Sequence, residues 1–197
     1  MLTIYGDPIS GNCLKVKWVA ERLEIPYTWL DVDVTKDETR TATFLALNPA
    51  GQVPTVVLDD GRTLAQSNAI ILHLAEGTGL IPADAYQRAK MLEWLFWEQY
   101  SHEPYIAVAR FQVMHMGKAT SELEPRLVER GKAALALMDQ ALQGRDFLVG
   151  AGLTLADIAL VAYTRMAADG GFALPDYPAV EAWVARVEAA LPIREPR

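Results

Sequence analysis

The first thirty-four residues limit most severely how this chain can fold. Leu2-Thr3-Ile4-Tyr5 is a short run of strand composition, and Ser10 to Leu23 carries Leu14, Trp18, Val19 and Leu23 at helical spacing. That helix stops before Ile25-Pro26. Tyr27 to Val34 is then aromatic and β-branched, alternating at Leu30, Val32 and Val34. A strand, a helix and a strand in this order make a parallel pair, because the helix carries the chain back to the edge it started from. The crossover is right-handed, since twisted strands and right-handed helices pack back onto a sheet only that way.

Strand and helix signals stay mixed to residue 76. Thr39 to Leu47 reads as a short helix before Asn48-Pro49, and Thr55 to Leu58 with Thr63 to Ala65 as a hairpin around Asp59-Asp60-Gly61-Arg62. Ser67 to Ala75 reads as a helix with Ile70, Ile71 and Leu74 inward, closed by Gly77. The order βαβα, ββα is a thioredoxin-like layout. Composition then changes: residues 77–84 are a Gly/Pro linker, and beyond it no convincing strand follows. Asp84 caps a helix expected to run to about Met116, and a second is expected from Ser121 or nearby to about Leu142. Thr154-Leu155-Ala156-Asp157 has the form of a capping box, the threonine hydroxyl taking the third amide and the carboxylate reaching back. Leu153 and Ile158 flank it as a staple. The helix behind it is apolar over most of its length, which places it at the centre of a helical domain. Pro178 opens a last helix to about Ala190. The expected fold is an α/β thioredoxin-like N-terminal domain over residues 1–76 plus an all-α C-terminal domain over residues 85–197.

The chain has 197 residues, 18 basic and 25 acidic, for a net charge of −7. An acidic surface without a basic cluster argues against nucleic acid or an anionic membrane as partner. One cysteine excludes an intrachain disulfide. No segment approaches about 18 uncharged apolar residues, the length needed to span a bilayer, and the N-terminus has no signal-peptide pattern. The expected location is the cytoplasm.

Chemistry concentrates at Ser10-Gly11-Asn12-Cys13, between the first strand and the first helix. A thioredoxin-type redox protein carries Cys-x-x-Cys at such a junction, where the helix N-terminus lowers the pKa of the first thiol. Here the first cysteine is a serine. A hydroxyl cannot do dithiol chemistry, but it can donate to a thiolate supplied by another molecule, and glutathione is the obvious supplier. Ser10 also reads as an ordinary N-cap, and the two roles are compatible. Asn12 offers an amide to a ligand or caps a turn. Cys13 reads as a redox residue or a buried packing group. His102 and His115 lack metal-ligand spacing with each other and with His73, and no metal is expected.

Over its whole length the chain resembles the cytosolic glutathione transferases, of serine type and bacterial-like. The resemblance rests on Ser10-Gly-Asn-Cys13, Asn48-Pro-Ala-Gly-Gln-Val-Pro54, Gln66-Ser-Asn-Ala-Ile70 and the helical half with Thr154-Leu-Ala-Asp157, in order and at the expected spacing. It implies that Ser10 holds the glutathione sulfur. It implies that Val53-Pro54 is a cis bond whose preceding residue pairs, strand-like, with the cysteinyl part, where the residues alone also fit a trans proline entering an edge strand. It implies that Ser67 contacts the γ-glutamyl carboxylate, where the residue alone also fits a helix N-cap. Gln52 is a candidate contact to the γ-glutamyl end, and Lys36 either meets the glycine carboxylate or is a solvated surface lysine. Many relatives carry Glu where Gln66 stands, so a charge partner for the tripeptide's ammonium is lost here.

Trp94, Phe96, Trp97, Tyr100, Tyr105 and Phe111 lie on the first long helix of the helical half, mostly as core or subunit interface. Tyr100, Tyr105 and Phe111 are the candidates for the wall of an electrophile pocket. The expected activity is attack of the glutathione thiolate on an apolar electrophile by a homodimeric enzyme. The alternatives are glutathione-dependent peroxide or disulfide reduction, and a non-catalytic binding or assembly module of the same fold.

Overall fold

Leu2 and Ile4 are buried while Thr3 and Tyr5 are partly exposed, so strand β1 (Leu2–Gly6) shows the alternation of a strand covered on one face. The computed structural model describes residues 1–193. It comprises two units, one over Met1–Thr78 and a second that begins at Gly79.

In the first unit, helix α1 (Gly11–Arg22) buries Leu14, Val16, Trp18 and Val19. Strand β2 (Tyr27–Asp31) pairs parallel to β1, with Leu2 opposite Tyr27 and Gly6 opposite Asp31. It stops at Asp31, short of the expected Val34. The Val34 amide donates to the Asp7 carboxylate at 2.9 Å, and Asp33 caps a 3-10 turn at Val34–Lys36, so these amides are lost to the sheet. The helix expected over 39–47 is likewise divided. A 3-10 turn covers Glu38–Arg40, and the Thr41 hydroxyl then caps α2 (Ala42–Leu47) by accepting from the Phe44 amide at 3.3 Å. Strands β3 (Thr55–Val57) and β4 (Thr63–Ala65) form the expected hairpin, with Gly61 supplying the left-handed φ of +83° in its turn. β3 runs antiparallel to β1, giving the order β2-β1-β3-β4. Helix α3 (Ser67–Leu74) packs on α1 through its buried Ile70 and Ile71.

The second unit is helical. Asp84 caps α4 (Ala85–Trp97), its carboxylate accepting from the Gln87 amide at 2.9 Å. The single helix expected from here to Met116 is interrupted by a π-helical turn, Glu98–His102, before α5 (Glu103–Met114). Pro104 has no N–H to continue the α-helical ladder, which is the local reason for the break. A 3-10 turn at Thr120–Glu122 precedes α6 (Pro125–Leu142). Every residue of α7 (Leu155–Thr164) is buried, so this helix is the centre of the unit. α8 (Pro178–Ala190) packs against α6 and α7.

The turn into α7 is held by Asp157, which is fully buried. Its Oδ1 accepts from the Leu148 amide and the Trp183 indole, both at 2.9 Å. Its Oδ2 accepts from the Thr154 amide at 2.9 Å and the Thr154 hydroxyl at 3.0 Å. Burial pushes the Asp157 carboxyl above its usual range, and these donors oppose the shift. Among the described residues no helix is long and apolar enough to cross a membrane.

Candidate functional site

The β1–α1 junction is built by Asp7, a residue that sequence reasoning passed over. Asp7 is 3 % exposed, and its carboxylate accepts from the Ile9 amide at 3.0 Å as well as from Val34. The nearest signal was its place directly after the strand and before Pro8, where an Asx turn forms readily. The turn delivers Ser10 to the start of α1 with φ −87° and ψ 115°, the extended geometry of an N-cap. The Ser10 oxygen accepts from the Cys13 amide at 3.4 Å. That capping contact uses a lone pair and not the hydroxyl proton.

Cys13 itself is fully buried, and its sulfur accepts from the Asp7 amide at 3.4 Å. Burial pushes its pKa up to about 11, against smaller lowering contributions from the Ser10 hydroxyl and the Asp7 amide. A thiol so protected stays protonated and unreactive at neutral pH, which fits packing and not redox chemistry.

Asn12 and Ser67 come from helices α1 and α3 and meet in this structure. The Ser67 hydroxyl donates to Asn12 Oδ1 at 3.0 Å, and the Lys15 ammonium donates to the same oxygen at 2.8 Å. Ser67 is 5 % exposed and Lys15 has no exposed surface. Gln66, just before α3, adopts φ +71° and ψ 111°. A non-glycine residue in that region costs roughly 1–3 kcal/mol, and such residues gather where a backbone must be aimed at a ligand. Its side chain is exposed.

The loop from Asn48 to Pro54 is held from within. Asn48 donates to the Gln52 carbonyl at 2.8 Å and to the Thr55 hydroxyl at 3.1 Å, and accepts from the Ala50 amide at 3.1 Å. The Thr55 hydroxyl donates to the Gln52 carbonyl at 3.0 Å. The Val53–Pro54 bond is cis, Pro54 is buried, and the Gln52 side chain is exposed. Lys36 is 74 % exposed and pairs with Asp33 at 2.8 Å. That pairing is the main cause of the Asp33 carboxyl falling to about 2, and it raises the Lys36 pKa in return.

On the second unit Tyr100 is 83 % exposed and Phe111 40 % exposed, and Tyr105 is half-buried. Phe111 stacks on His115 at 5.2 Å. His102 lies inside the unit, 2.9 Å from the Thr164 hydroxyl. That hydroxyl donates to the Leu160 carbonyl, so His102 Nε2 is the donor in the pair. Among the described residues no three His, Cys, Asp or Glu side chains converge as a metal site requires.

A four-stranded sheet with a capped helix start at Ser10, followed in the chain by a helical unit, defines a protein with a thioredoxin-like α/β domain and an all-α one. The description "Glutathione S-transferase, N-terminal domain" matches residues 9–76, and "Glutathione S-transferase, C-terminal domain" matches residues 96–190. Glutathione S-transferase theta-1 of Rattus norvegicus is 31 % identical over 97 % of this chain and 84 % of its own length. The disulfide-bond oxidoreductase YfcG of Escherichia coli is 30 % identical over 96 % of this chain and 91 % of its own. Among solved structures, a glutathione S-transferase from Pseudomonas fluorescens superposes with a TM-score of 0.92 at 45 % identity, covering 95 % of this chain and 94 % of that one. Ure2p in complex with glutathione superposes at 0.85 and 26 % identity, covering 99 % and 95 %. The chain belongs to the glutathione S-transferase family.

Proposed function

We infer that this chain is a glutathione transferase that binds glutathione on its N-terminal unit and activates the sulfur at Ser10. The observation that carries the reading is how Ser10 uses its hydroxyl: the oxygen caps α1 while the proton remains available to a better acceptor than the neutral Cys13 thiol. A thiolate is such an acceptor. A free thiol of pKa about 8.5 must drop by about two units to be largely ionised at neutral pH, which takes roughly 2.7 kcal/mol of preferential stabilisation. One hydroxyl donor together with the positive end of α1 is of the right size to supply it. The thiolate then attacks an apolar electrophile and displaces its leaving group or opens its ring.

The remaining assignments belong to the same proposal. Ser67 and the first amides of α3 take the γ-glutamyl carboxylate, helped by the helix dipole. Val53 pairs with the cysteinyl backbone, while Gln52, Gln66 and Asn12 contact the γ-glutamyl end. Lys36 must leave Asp33 to reach the glycine carboxylate. Tyr100, Tyr105 and Phe111 are proposed to contact the apolar acceptor. The working enzyme is proposed to be a homodimer in the cytoplasm.

Retention on immobilised glutathione, followed by conjugation of a chlorodinitrobenzene, tests the reading, and a chain that does neither overturns it. The similarity to YfcG, a disulfide-bond oxidoreductase, favours one alternative use of the same thiolate. In that reaction the glutathione sulfur attacks a disulfide, one thiolate leaves, and a second glutathione completes the reduction as glutathione disulfide forms. A rate on a small mixed disulfide exceeding the rate on the aryl chloride would reassign the chain to it.

A further inference from the structure

Lysine is almost never fully buried unless its charge is used. Lys15 is fully buried, and it lies near the start of α1, where the positive end of the helix dipole disfavours a cation. Its ammonium donates at 2.8 Å to Asn12 Oδ1, the oxygen that also accepts the Ser67 hydroxyl at 3.0 Å. An ammonium only donates, so this contact fixes which end of the Asn12 amide faces it. Two donors on one oxygen also keep the buried charge within two hydrogen-bond lengths of the Ser67 hydroxyl.

We propose that Lys15 is a positioning residue for a carboxylate bound at Ser67, holding Asn12 in place and lending its positive charge to the start of α3. The proposal rests on reading Ser67 as the γ-glutamyl carboxylate contact. In the unliganded chain the Ser67 proton is spent on Asn12. An arriving carboxylate competes for it, and once Ser67 turns to the ligand, Asn12 Oδ1 loses one of its two donors from these helices. Lys15 keeps that oxygen bonded through the exchange. The same ammonium attracts the carboxylate across a short, poorly solvated distance. Sequence reading had no access to this, because a lysine on an amphipathic helix looks like solvated surface until α3 covers it.

Binding by calorimetry decides the matter, using glutathione and its analogue with the γ-glutamyl α-carboxylate converted to a carboxamide. Lys15→Met is expected to weaken glutathione on the order of tenfold or more, the size of a lost charged hydrogen bond. It should weaken the carboxamide less than threefold. In turnover, the KM for glutathione should rise while kcat at saturation holds within a few-fold. Lys15→Gln keeps a donor to Asn12 without the charge, and serves the same comparison if the methionine variant does not fold. Equal weakening of both ligands, or of neither, overturns the proposal while leaving the wild-type reading intact. A wild-type chain that binds neither compound removes the glutathione reading, and this proposal with it.

Discussion

Ser10 and Ser67 occupy similar places, each at the start of a helix, yet the proposed mechanism asks different things of them. Ser10→Ala removes a donor needed as negative charge gathers on sulfur, so turnover should fall roughly ten- to a thousandfold while glutathione affinity holds within a few-fold. Rate against pH checks this, since loss of the donor moves the thiol's ionisation upward. Ser67→Ala removes a contact present equally in ground and transition states, so the KM for glutathione should rise with kcat nearly unchanged. An equal fall in kcat without a change in affinity would contradict the assignment. Cys13 makes a third expectation. Its folded-state pKa of about 11 lies above the ordinary 9.0, so the unfolded chain releases this proton first as pH rises. The stability contributed is full below pH about 9 and is lost as pH climbs through about 11, a total of roughly 2–3 kcal/mol. Urea denaturation across that range should show the slope in the wild type and not in Cys13→Ala. Ser10 and Ser67 were legible in the sequence because motif position marks them, whereas Asp7 and Lys15 were not. Both act through partners far along the chain, Val34 for the one and, by way of Asn12, Ser67 for the other.

Among the elements, those set by short-range periodicity were readable in advance: β1, α1, the β3–β4 hairpin, α3 and α8. Where the pattern misled, a competing hydrogen bond had won. Val32 and Val34 continue the alternation of β2, but the Val34 amide belongs to Asp7. The helical pattern after Asp84 runs on unbroken, and only Pro104 hinted that the ladder would change at Glu98–His102. The capping box was legible, but not the extent of its duty. Asp157 gathers donors from Leu148, Thr154 and Trp183, so Asp157→Ala should cost about 3–5 kcal/mol and lower the calorimetric melting temperature by many degrees. A loss near 1 kcal/mol, the value of a simple cap, would show that the long-range bonds contribute little. Gly131 in α6 is a converse case. Alanine improves helix propensity by up to about 1 kcal/mol. Here, however, its Cβ would lie 2.4 Å from the ring of Phe172, which is buried. Gly131→Ala should therefore destabilise by roughly 1–3 kcal/mol, read by the same calorimetry.

For the molecule as a whole, Phe96 and Tyr100 are 73 % and 83 % exposed on neighbouring turns, more apolar surface than a solvated helix ordinarily carries. A homodimer that covers them should sediment at about twice the 21.7 kDa chain mass at micromolar concentration. Phe96→Asp should shift it toward the monomer, and a wild type that is monomeric and fully active would sink the proposal. The π-helical turn between α4 and α5 bears on how the chain tolerates a deletion. Such a turn holds one residue more per hydrogen-bonded ring than an α-helical one, and it leaves the helix beyond it in phase. An extra residue taken up in α-helical form would instead have rotated everything after it by about 100°, carrying Ile106, Ala107 and Ala109 out of the core. Glu98–His102 therefore accommodates one residue more than an α-helical path between the same flanks would need. Removing one residue there, such as the half-exposed Ser101, should leave α5 in phase and return a folded chain, whereas the same deletion within the wholly buried α7 should not.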